Sequence, residues 1–378
     1  MKTNTLTTAD MKLINKKKVF SYIYTNKETS KHNIASDLNM SLPTVSQNLN
    51  ELLDGGLIQK NGYYESTGGR RSQIISCCPY AKIALGVEII RETAQIVALD
   101  LYGNLIKQEE CPVSFNNQEH TPQEISLWIN SFIDALPYSK DSILGIQIAV
   151  QGLVSGDGTK IIYDSLLKGN NLSYNAIQKS ISYPCYLTHD TDASAFAELW
   201  KREQLSDIVC LFLNRNFGGA VTINGRIHIG KNSTCSVLEH MCLVPNGKDC
   251  YCGNKGCIEA YCSVNSLLAE AGEKIDIFFE NLRSGKIREQ TIWNTYLENL
   301  ARAISNIRTL LDCDFIISGY LLPYLRLEDF SYLEKLINEN CPFEFSEIKL
   351  LRGLYGPHSA SIGAALLLVY KFLQENIE

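Results

Sequence analysis

Apolar residues recur at helical spacing in three consecutive segments near the start of the chain. Apolar positions three and four residues apart predict an amphipathic helix. Ser30 and Ser41 stand where an N-terminal capping residue is expected for the second and third helices, and Gly55-Gly56 follows the third. The pattern predicts three short helices with these inward positions: Val19, Phe20, Ile23 and Tyr24; Ile34, Ala35 and Leu38; Val45, Leu49, Leu52 and Leu53.

The polar side of the third predicted helix has the chemistry of a DNA-reading surface. Thr44, Gln47, Asn48 and Glu51 are placed outward, and Thr, Gln and Asn side chains form hydrogen bonds with base edges. Two helices joined by a tight turn make a helix-turn-helix, and residues 56–76 read as two strands around a Gly-Gly-Arg-Arg tip, the wing of a winged helix-turn-helix. The alternative is a solvated three-helix bundle with no DNA role. The candidate DNA contacts are Ser41, Thr44, Ser46, Gln47, Asn48, Arg70 and Arg71.

From about residue 80 the pattern changes to apolar runs rich in β-branched residues, followed by amphipathic helices, and this order occurs twice. Two such sets predict an α/β fold with two lobes and a cleft between them, where small ligands bind. The expected organisation is a winged helix-turn-helix domain over residues 1–76 and a two-lobed body over residues 80–378.

Charge is distributed unevenly over the 378 residues. The net charge is −6, but residues 1–75 hold ten Lys and Arg against six Asp and Glu. A basic head on an acidic body favours an anionic partner such as DNA. The start of the chain lacks the apolar core of a signal peptide, and no apolar run is long enough for a membrane span, so we expect a cytoplasmic protein.

Three cysteines lie within the eight residues CYCGNKGC (250–257), and His240 lies ten residues upstream. A disulfide, a redox switch and a metal site are the competing interpretations. A reduced cytoplasm disfavours the disulfide, because thiols stay reduced there.

Several motifs together resemble the ROK family, which contains repressors and sugar kinases built on an actin-like ATPase fold. The resemblance runs from about residue 12 to 372, and the head resembles that of the repressor branch, which the kinases lack. It is carried by VQGLV, THDTDASAFAE, INGRIHIG, EHMCLVPNGKDCYCGNKGCIEAY, SIGAALL and the head segment NMSLPTVSQNLNELLDGGLI.

The resemblance implies one structural zinc ion held by His240, Cys250, Cys252 and Cys257, in a loop over residues 240–257. One imidazole and three thiolates form a closed tetrahedral set, which agrees with that role. A redox pair or free thiols remain the alternatives.

The resemblance also indicates that the chain is not an enzyme. The family's phosphate loops DxGGTK and GTGxG correspond here to residues 88–93 and 214–218, and most of their glycines are replaced. Side chains there would keep backbone N–H groups from an anion. We therefore expect no catalytic residues.

The residues that contact sugar in the family are better preserved in this sequence than the phosphate loops. They correspond to Gly152, His189, Asp190, His240 and Glu259. One sugar-binding glutamate is replaced by Val237, which cannot accept a hydrogen bond, so weak binding is expected.

The sequence thus predicts a sugar-responsive repressor of carbohydrate genes that binds a palindromic DNA operator as a homodimer or a dimer of dimers. The alternatives are a regulator whose effector pocket is lost or serves a protein partner, and a residual sugar kinase.

Overall fold

The structure is a computed structural model. It describes residues 7–65, 71–90, 93–112, 121–163, 174–202, 205–341 and 348–377. None of the helices within these ranges combines the length and apolar character that a bilayer crossing requires.

The N-terminal head has three helices and a small antiparallel sheet in which β3 lies between β1 and β2. The prediction of three helices and a hairpin is confirmed, although the first helix begins well before the predicted apolar stripe. Its elements are α1 (Thr8–Asn26), β1 (Glu28–Thr29), α2 (Lys31–Asp37), α3 (Leu42–Asp54), β2 (Ile58–Tyr63) and β3 (Gln73–Cys77).

The boundaries of α2 and α3 follow from their capping residues. The Ser30 hydroxyl accepts a hydrogen bond from the Asn33 N–H, and the Ser41 hydroxyl accepts one from the Thr44 N–H, both at 3.2 Å. These bonds satisfy N–H groups that have no partner within the helix. Gly56, at φ +67°, adopts the left-handed backbone that ends α3.

The first lobe is built on a five-stranded sheet with the order β6-β5-β4-β7-β10. Strands β4, β5 and β6 form an antiparallel meander, while β7 and β10 are parallel to β4. Its elements are β4 (Ile83–Ile89), β5 (Thr93–Leu99), β6 (Leu105–Pro112), α4 (Thr121–Asp134), β7 (Ile143–Val150), β8 (Leu153–Val154), β9 (Ile161–Tyr163), α5 (Tyr174–Lys179), β10 (Cys185–His189) and α6 (Asp190–Trp200).

The second lobe repeats this topology with the order β13-β12-β11-β14-β15 and the same mixture of antiparallel and parallel pairs. The predicted duplication is therefore present in the fold. The elements are β11 (Ile208–Leu213), β12 (Phe217–Ile223), β13 (Arg226–Ile227), α7 (Glu259–Cys262), α8 (Val264–Ala271), α9 (Ile275–Arg283), α10 (Ile287–Leu311), β14 (Asp314–Ser318), α11 (Leu327–Glu339), β15 (Leu350–Arg352) and α12 (Ser359–Ile377).

Helix α12 returns to the first lobe and packs against β4 and α6. Two glycines make this close approach possible. A Cβ on Gly86 would overlap the Ser361 carbonyl, and a Cβ on Gly363 would overlap the Ala193 carbonyl. The sheet, α6 and α12 therefore lie in backbone contact and form one closely packed unit.

The head shares a hydrophobic core with this unit. Phe20 of α1 and Val369 of α12 belong to one buried cluster. The Tyr24 ring stacks on the Tyr102 ring at 4.7 Å, and the Tyr24 hydroxyl donates a hydrogen bond of 2.8 Å to the Leu101 carbonyl. The position of the head is thus defined by contacts with the body.

Candidate functional site

Four potential metal ligands meet in the loop that precedes α7. One ligand atom each from His240, Cys250, Cys252 and Cys257 lies within 4.8 Å of the others. The Cys250 Sγ to His240 Nδ1 distance is 3.7 Å, and the two sulfurs of Cys252 and Cys257 are 3.8 Å apart. A tetrahedral ion with metal–sulfur bonds of about 2.3 Å requires sulfurs about 3.8 Å apart, so the cluster has the right size for zinc.

The loop is folded so that these ligands converge. Gly253 and Gly256 have φ values of +92° and +78°, and a Cβ on Gly256 would overlap the Val244 carbonyl. Burial raises the pKa of the Cys250 thiol to about 12, so a thiolate there needs a nearby cation. Burial lowers the pKa of His240 and favours the neutral imidazole, which is the form that binds metals. The donor set therefore fits a divalent metal ion.

A cleft of about 100 Å³ lies beside this loop, and both lobes contribute to its wall. Gly152, His189, Asp190 and His240, four of the five predicted ligand contacts, line it together with Val237. Because Nδ1 of His240 faces the sulfur of Cys250, the other ring nitrogen remains for the cleft. The structure thus brings these residues from distant parts of the sequence to one small polar site.

Glu259 is the fifth predicted ligand contact. It is buried, and its carboxylate accepts hydrogen bonds from the Asn216 side chain at 2.9 Å and from the Phe217 N–H at 2.6 Å. It is not among the described residues that line the cleft, whereas Asn216 is. Glu259 thus contacts the cleft wall through Asn216, and its direct contact with a ligand stays a prediction.

Sequence reasoning also missed Tyr251. Its ring lies edge-on to the His240 ring, with centroids 5.1 Å apart, and it lines the cleft. Its position between two cysteine ligands was the signal available in the sequence, because two ligands on one ion fix the residue between them.

The cleft concentrates carboxyl groups in a poorly hydrated environment. Burial raises the pKa of Asp190, and the nearby His189, with Nε2 3.4 Å from Asp190 Oδ1, opposes that rise. Burial also raises the pKa of Glu239, which lines the cleft, to about 8. The site can therefore present both donors and acceptors to hydroxyl groups near neutral pH.

Glu88 on β4, a buried carboxyl group, makes the stability of the protein depend on pH. Burial and the charge of Asp190 raise its pKa from 4.5 to about 8. The folded protein keeps a proton that the unfolded chain releases above about pH 4.5, so this contribution to stability falls as the pH rises through about 8. The free energy of unfolding of the unmodified protein should fall by a few kcal/mol between about pH 5 and pH 9. We expect Glu88→Gln not to show this fall. Denaturant unfolding across that range measures it.

The control for Glu88→Gln is Glu110→Gln, which removes an exposed carboxylate from β6 of the same sheet. Its unfolding free energy should follow that of the unmodified protein at each pH. Identical pH profiles for Glu88→Gln and the unmodified protein would show that Glu88 ionises normally.

The exposed face of α3 differs from the predicted one. Gln47 is exposed, but Asn48 is buried, and its side-chain amide donates to the Thr44 carbonyl at 2.8 Å. The prediction that Asn48 faces DNA is therefore wrong. Asn50, not predicted, is exposed with Gln47, since residues three apart share a helix face.

The remaining predicted DNA contacts fall into three groups. Ser41 is exposed at the start of α3, while Thr44 and Ser46 are half-buried. The Ser46 hydroxyl donates a hydrogen bond of 2.8 Å to the Leu42 carbonyl. Arg71 of the wing is exposed, and Arg70 lies outside the described residues.

Comparisons with known proteins agree with this architecture. The family model described as ROK family matches residues 84–369. The DNA-binding transcriptional dual regulator NagC of Escherichia coli K12 is 28% identical over 252 residues, which cover 66% of this chain and 62% of NagC. The chain thus spans less than two thirds of NagC. The xylose repressor of Bacillus spizizenii W23 is 26% identical over 261 residues, 68% of each chain.

Solved structures share the fold at low sequence identity. A ROK family transcriptional regulator, a homologue of the Escherichia coli MLC protein, superposes with a TM-score of 0.76 at 20% identity and covers 97% of this chain and 98% of its own. A ROK family glucokinase from Streptomyces griseus has a TM-score of 0.62 at 17% identity and covers 75% of this chain and 98% of its own. The head is within the region shared with the regulator.

Proposed function

The chain belongs to the ROK family, and from this membership we propose that it is a DNA-binding repressor of carbohydrate genes that responds to a sugar. The observation that carries the proposal is a winged helix-turn-helix head that shares a core with a body containing a polar cleft. The repressor names of the similar proteins support the same function. The domains we propose are residues 1–76 for DNA binding and 80–378 for the body.

DNA contact is assigned to the N-terminal half of α3 and to the wing. Gln47, Ser41 and Thr44 reach the major groove in the usual docking of such a helix, and Arg71 contacts phosphate. Arg70 remains a predicted contact. A single head reads only a few base pairs, so we propose a homodimer, or a dimer of dimers, on a palindromic operator.

Sugar binding in the cleft has a direct route to the head. Asp190 lines the cleft and is the first residue of α6. Helix α6 packs along α12, which shares a core with α1. A ligand that binds one arrangement of these helices more tightly than another can change operator affinity. The change cannot exceed the ratio of its affinities for the two arrangements.

The metal is assigned a structural role as zinc. Three cysteines and one histidine complete a tetrahedral shell and leave no position for substrate. The bound ion would supply positive charge to the thiolates and hold the loop over residues 240–257. In that loop, His240 and Tyr251 keep their places in the cleft wall.

Kinase activity is not proposed, although the fold is shared with ROK kinases. The Asn214 side chain accepts a hydrogen bond of 2.8 Å from the Tyr320 N–H, and its oxygen would lie 2.6 Å from a Cβ on Gly319. Asn214, the first residue of the segment that corresponds to the family's GTGxG loop, thus fills the space next to Gly319. A coupled ATPase assay with a panel of sugars tests this, and turnover with any of them would restore the kinase alternative.

The Val237→Glu variant tests the assignment of the cleft. Val237 lines it without an acceptor, and a hydrogen bond to a charged group contributes about 1.5–3 kcal/mol. We expect Val237→Glu to bind N-acetylglucosamine, xylose or glucose about ten- to a hundredfold more tightly. Isothermal titration calorimetry with each sugar measures the change.

Val237→Leu serves as the matched control, because it changes size without adding an acceptor, and it should show no gain. If neither Val237→Glu nor the unmodified protein binds any of these sugars, the cleft has lost its effector or serves another ligand.

A further inference from the structure

A second cavity, of about 320 Å³, is also bounded by His189. It lies between the segment around β8, strand β10 and helix α12, and its wall includes Tyr186, Asp192 and Lys371. Apart from His189, none of the predicted site residues lines it. Its volume is at the lower end of the range for ligand pockets, about 300–1,000 Å³.

The wall carries three charged groups: Asp157 accepts hydrogen bonds from the Ser155 and Thr159 hydroxyls, whereas Asp192 and Lys371 are not paired with each other. The Asp192 carboxylate lies 4.0 Å from Nδ1 of the His189 ring, and no donor within the described ranges forms a hydrogen bond with it. The Lys371 ammonium lies over the Tyr186 ring at 4.6 Å from the centroid, and no described carboxylate is within ion-pair distance. The Asp192 side chain is 23% exposed, so water solvates it where it opens into the cavity, and a ligand that displaces this water must bring a donor of its own.

We propose that this cavity binds a small zwitterion, an amino acid or a similar molecule, with its ammonium on Asp192 and its carboxylate on Lys371. A simple cation or anion would neutralise only one of these two charges, and a neutral sugar would offer hydrogen bonds but no opposite charge to either. The Leu153 and Leu187 side chains on the wall offer apolar contact to the rest of the ligand.

The position of the cavity gives such a ligand an effect on the proposed regulator. His189 forms part of both the cavity and the sugar cleft. Leu368 of α12 lines the cavity and belongs to the core shared with the head. The zwitterion is thus a second effector, whose binding does not require that a sugar binds in the cleft.

The test is a thermal-melt screen of the full chain with its metal, followed by calorimetry. The probes are the standard α-amino acids and ω-amino acids of increasing length, each compared with its N-acetyl derivative and its amide. At least one zwitterion should raise the melting temperature, whereas its singly charged counterparts should not. If no zwitterion exceeds its counterparts, the proposal is overturned.

Two variants locate the binding. Asp192→Asn and Lys371→Gln should each weaken the binding of the zwitterion at least about tenfold. Glu375→Gln, an exposed charge one turn further along α12, is the matched control and should bind normally. Unchanged affinity in both cavity variants would contradict the site. Because Lys371 is exposed, Lys371→Gln should fold normally and keeps the test valid if Asp192→Asn misfolds.

Discussion

Replacing Cys252 with serine is expected to release the metal and to lower the free energy of unfolding by more than about 4 kcal/mol. The variant removes one of four ligands and leaves two other thiols and an imidazole without a complete shell. Backbone hydrogen bonds such as Leu243 N–H to the Gly256 carbonyl and Ile258 N–H to the Met241 carbonyl link the two ends of the loop, and a bound ion would add the constraint that the variant removes. Elemental analysis and denaturant unfolding measure the two effects.

The control is Cys242→Ser. Cys242 is exposed and pairs with Cys257 through a backbone bridge, but it is outside the ligand cluster. It should retain about one metal ion per chain and normal stability. A metal-free protein that unfolds at the same denaturant concentration as the metal-loaded protein would refute a structural role.

Replacing Gln47 with alanine is expected to weaken operator binding by about 1–3 kcal/mol, roughly 5- to 150-fold, and to relax sequence preference. Gln47 is exposed on α3 and is suited to a bidentate contact with adenine. A selection from random DNA, followed by anisotropy titration of the selected duplex, measures both effects.

Asn48→Ala provides the contrast, because Asn48 is the next residue but is buried. The affinity of this variant for DNA should stay within about twofold of that of the unmodified protein when both proteins are equally folded. If Asn48→Ala weakens DNA binding as strongly as Gln47→Ala, α3 does not dock through the face that the structure exposes.

Local signals in the sequence predicted much of the head. The capping roles of Ser30 and Ser41 were predictable because each capping interaction lies within four successive residues. The error at Asn48 arose because Leu53 was taken as fully inward. Leu53 is only half-buried, so the buried stripe centres on Val45, Leu49 and Leu52 and includes Asn48.

Sites that depend on tertiary contacts were less predictable. The cysteine motif indicated the metal ligands, since three of them lie within one short loop. Nothing near Glu259 in the sequence shows that Asn216 and the Phe217 N–H occupy its carboxylate. The second cavity combines segments far apart in the chain, such as Ser155 and Lys371, and has no sequence signature.

The sequence pattern over residues 264–282 predicts one helix, whereas the structure has two, α8 and α9. The apolar pattern over residues 264–282 is continuous, but Gly272 adopts a left-handed backbone at φ +68° and ends α8. Glycine is tolerated inside helices as well as at their ends, so its presence alone did not separate these cases.

The most direct test of the account is the affinity of the full chain for its selected DNA duplex with and without sugar. Anisotropy titrations would be made in the presence of N-acetylglucosamine, xylose and glucose in turn, at one fixed salt concentration. The account predicts that at least one sugar changes the affinity by about fivefold or more, and that Asp190→Asn abolishes the change while leaving sugar-free DNA binding intact. Tight DNA binding that none of these sugars alters would contradict a sugar-responsive repressor.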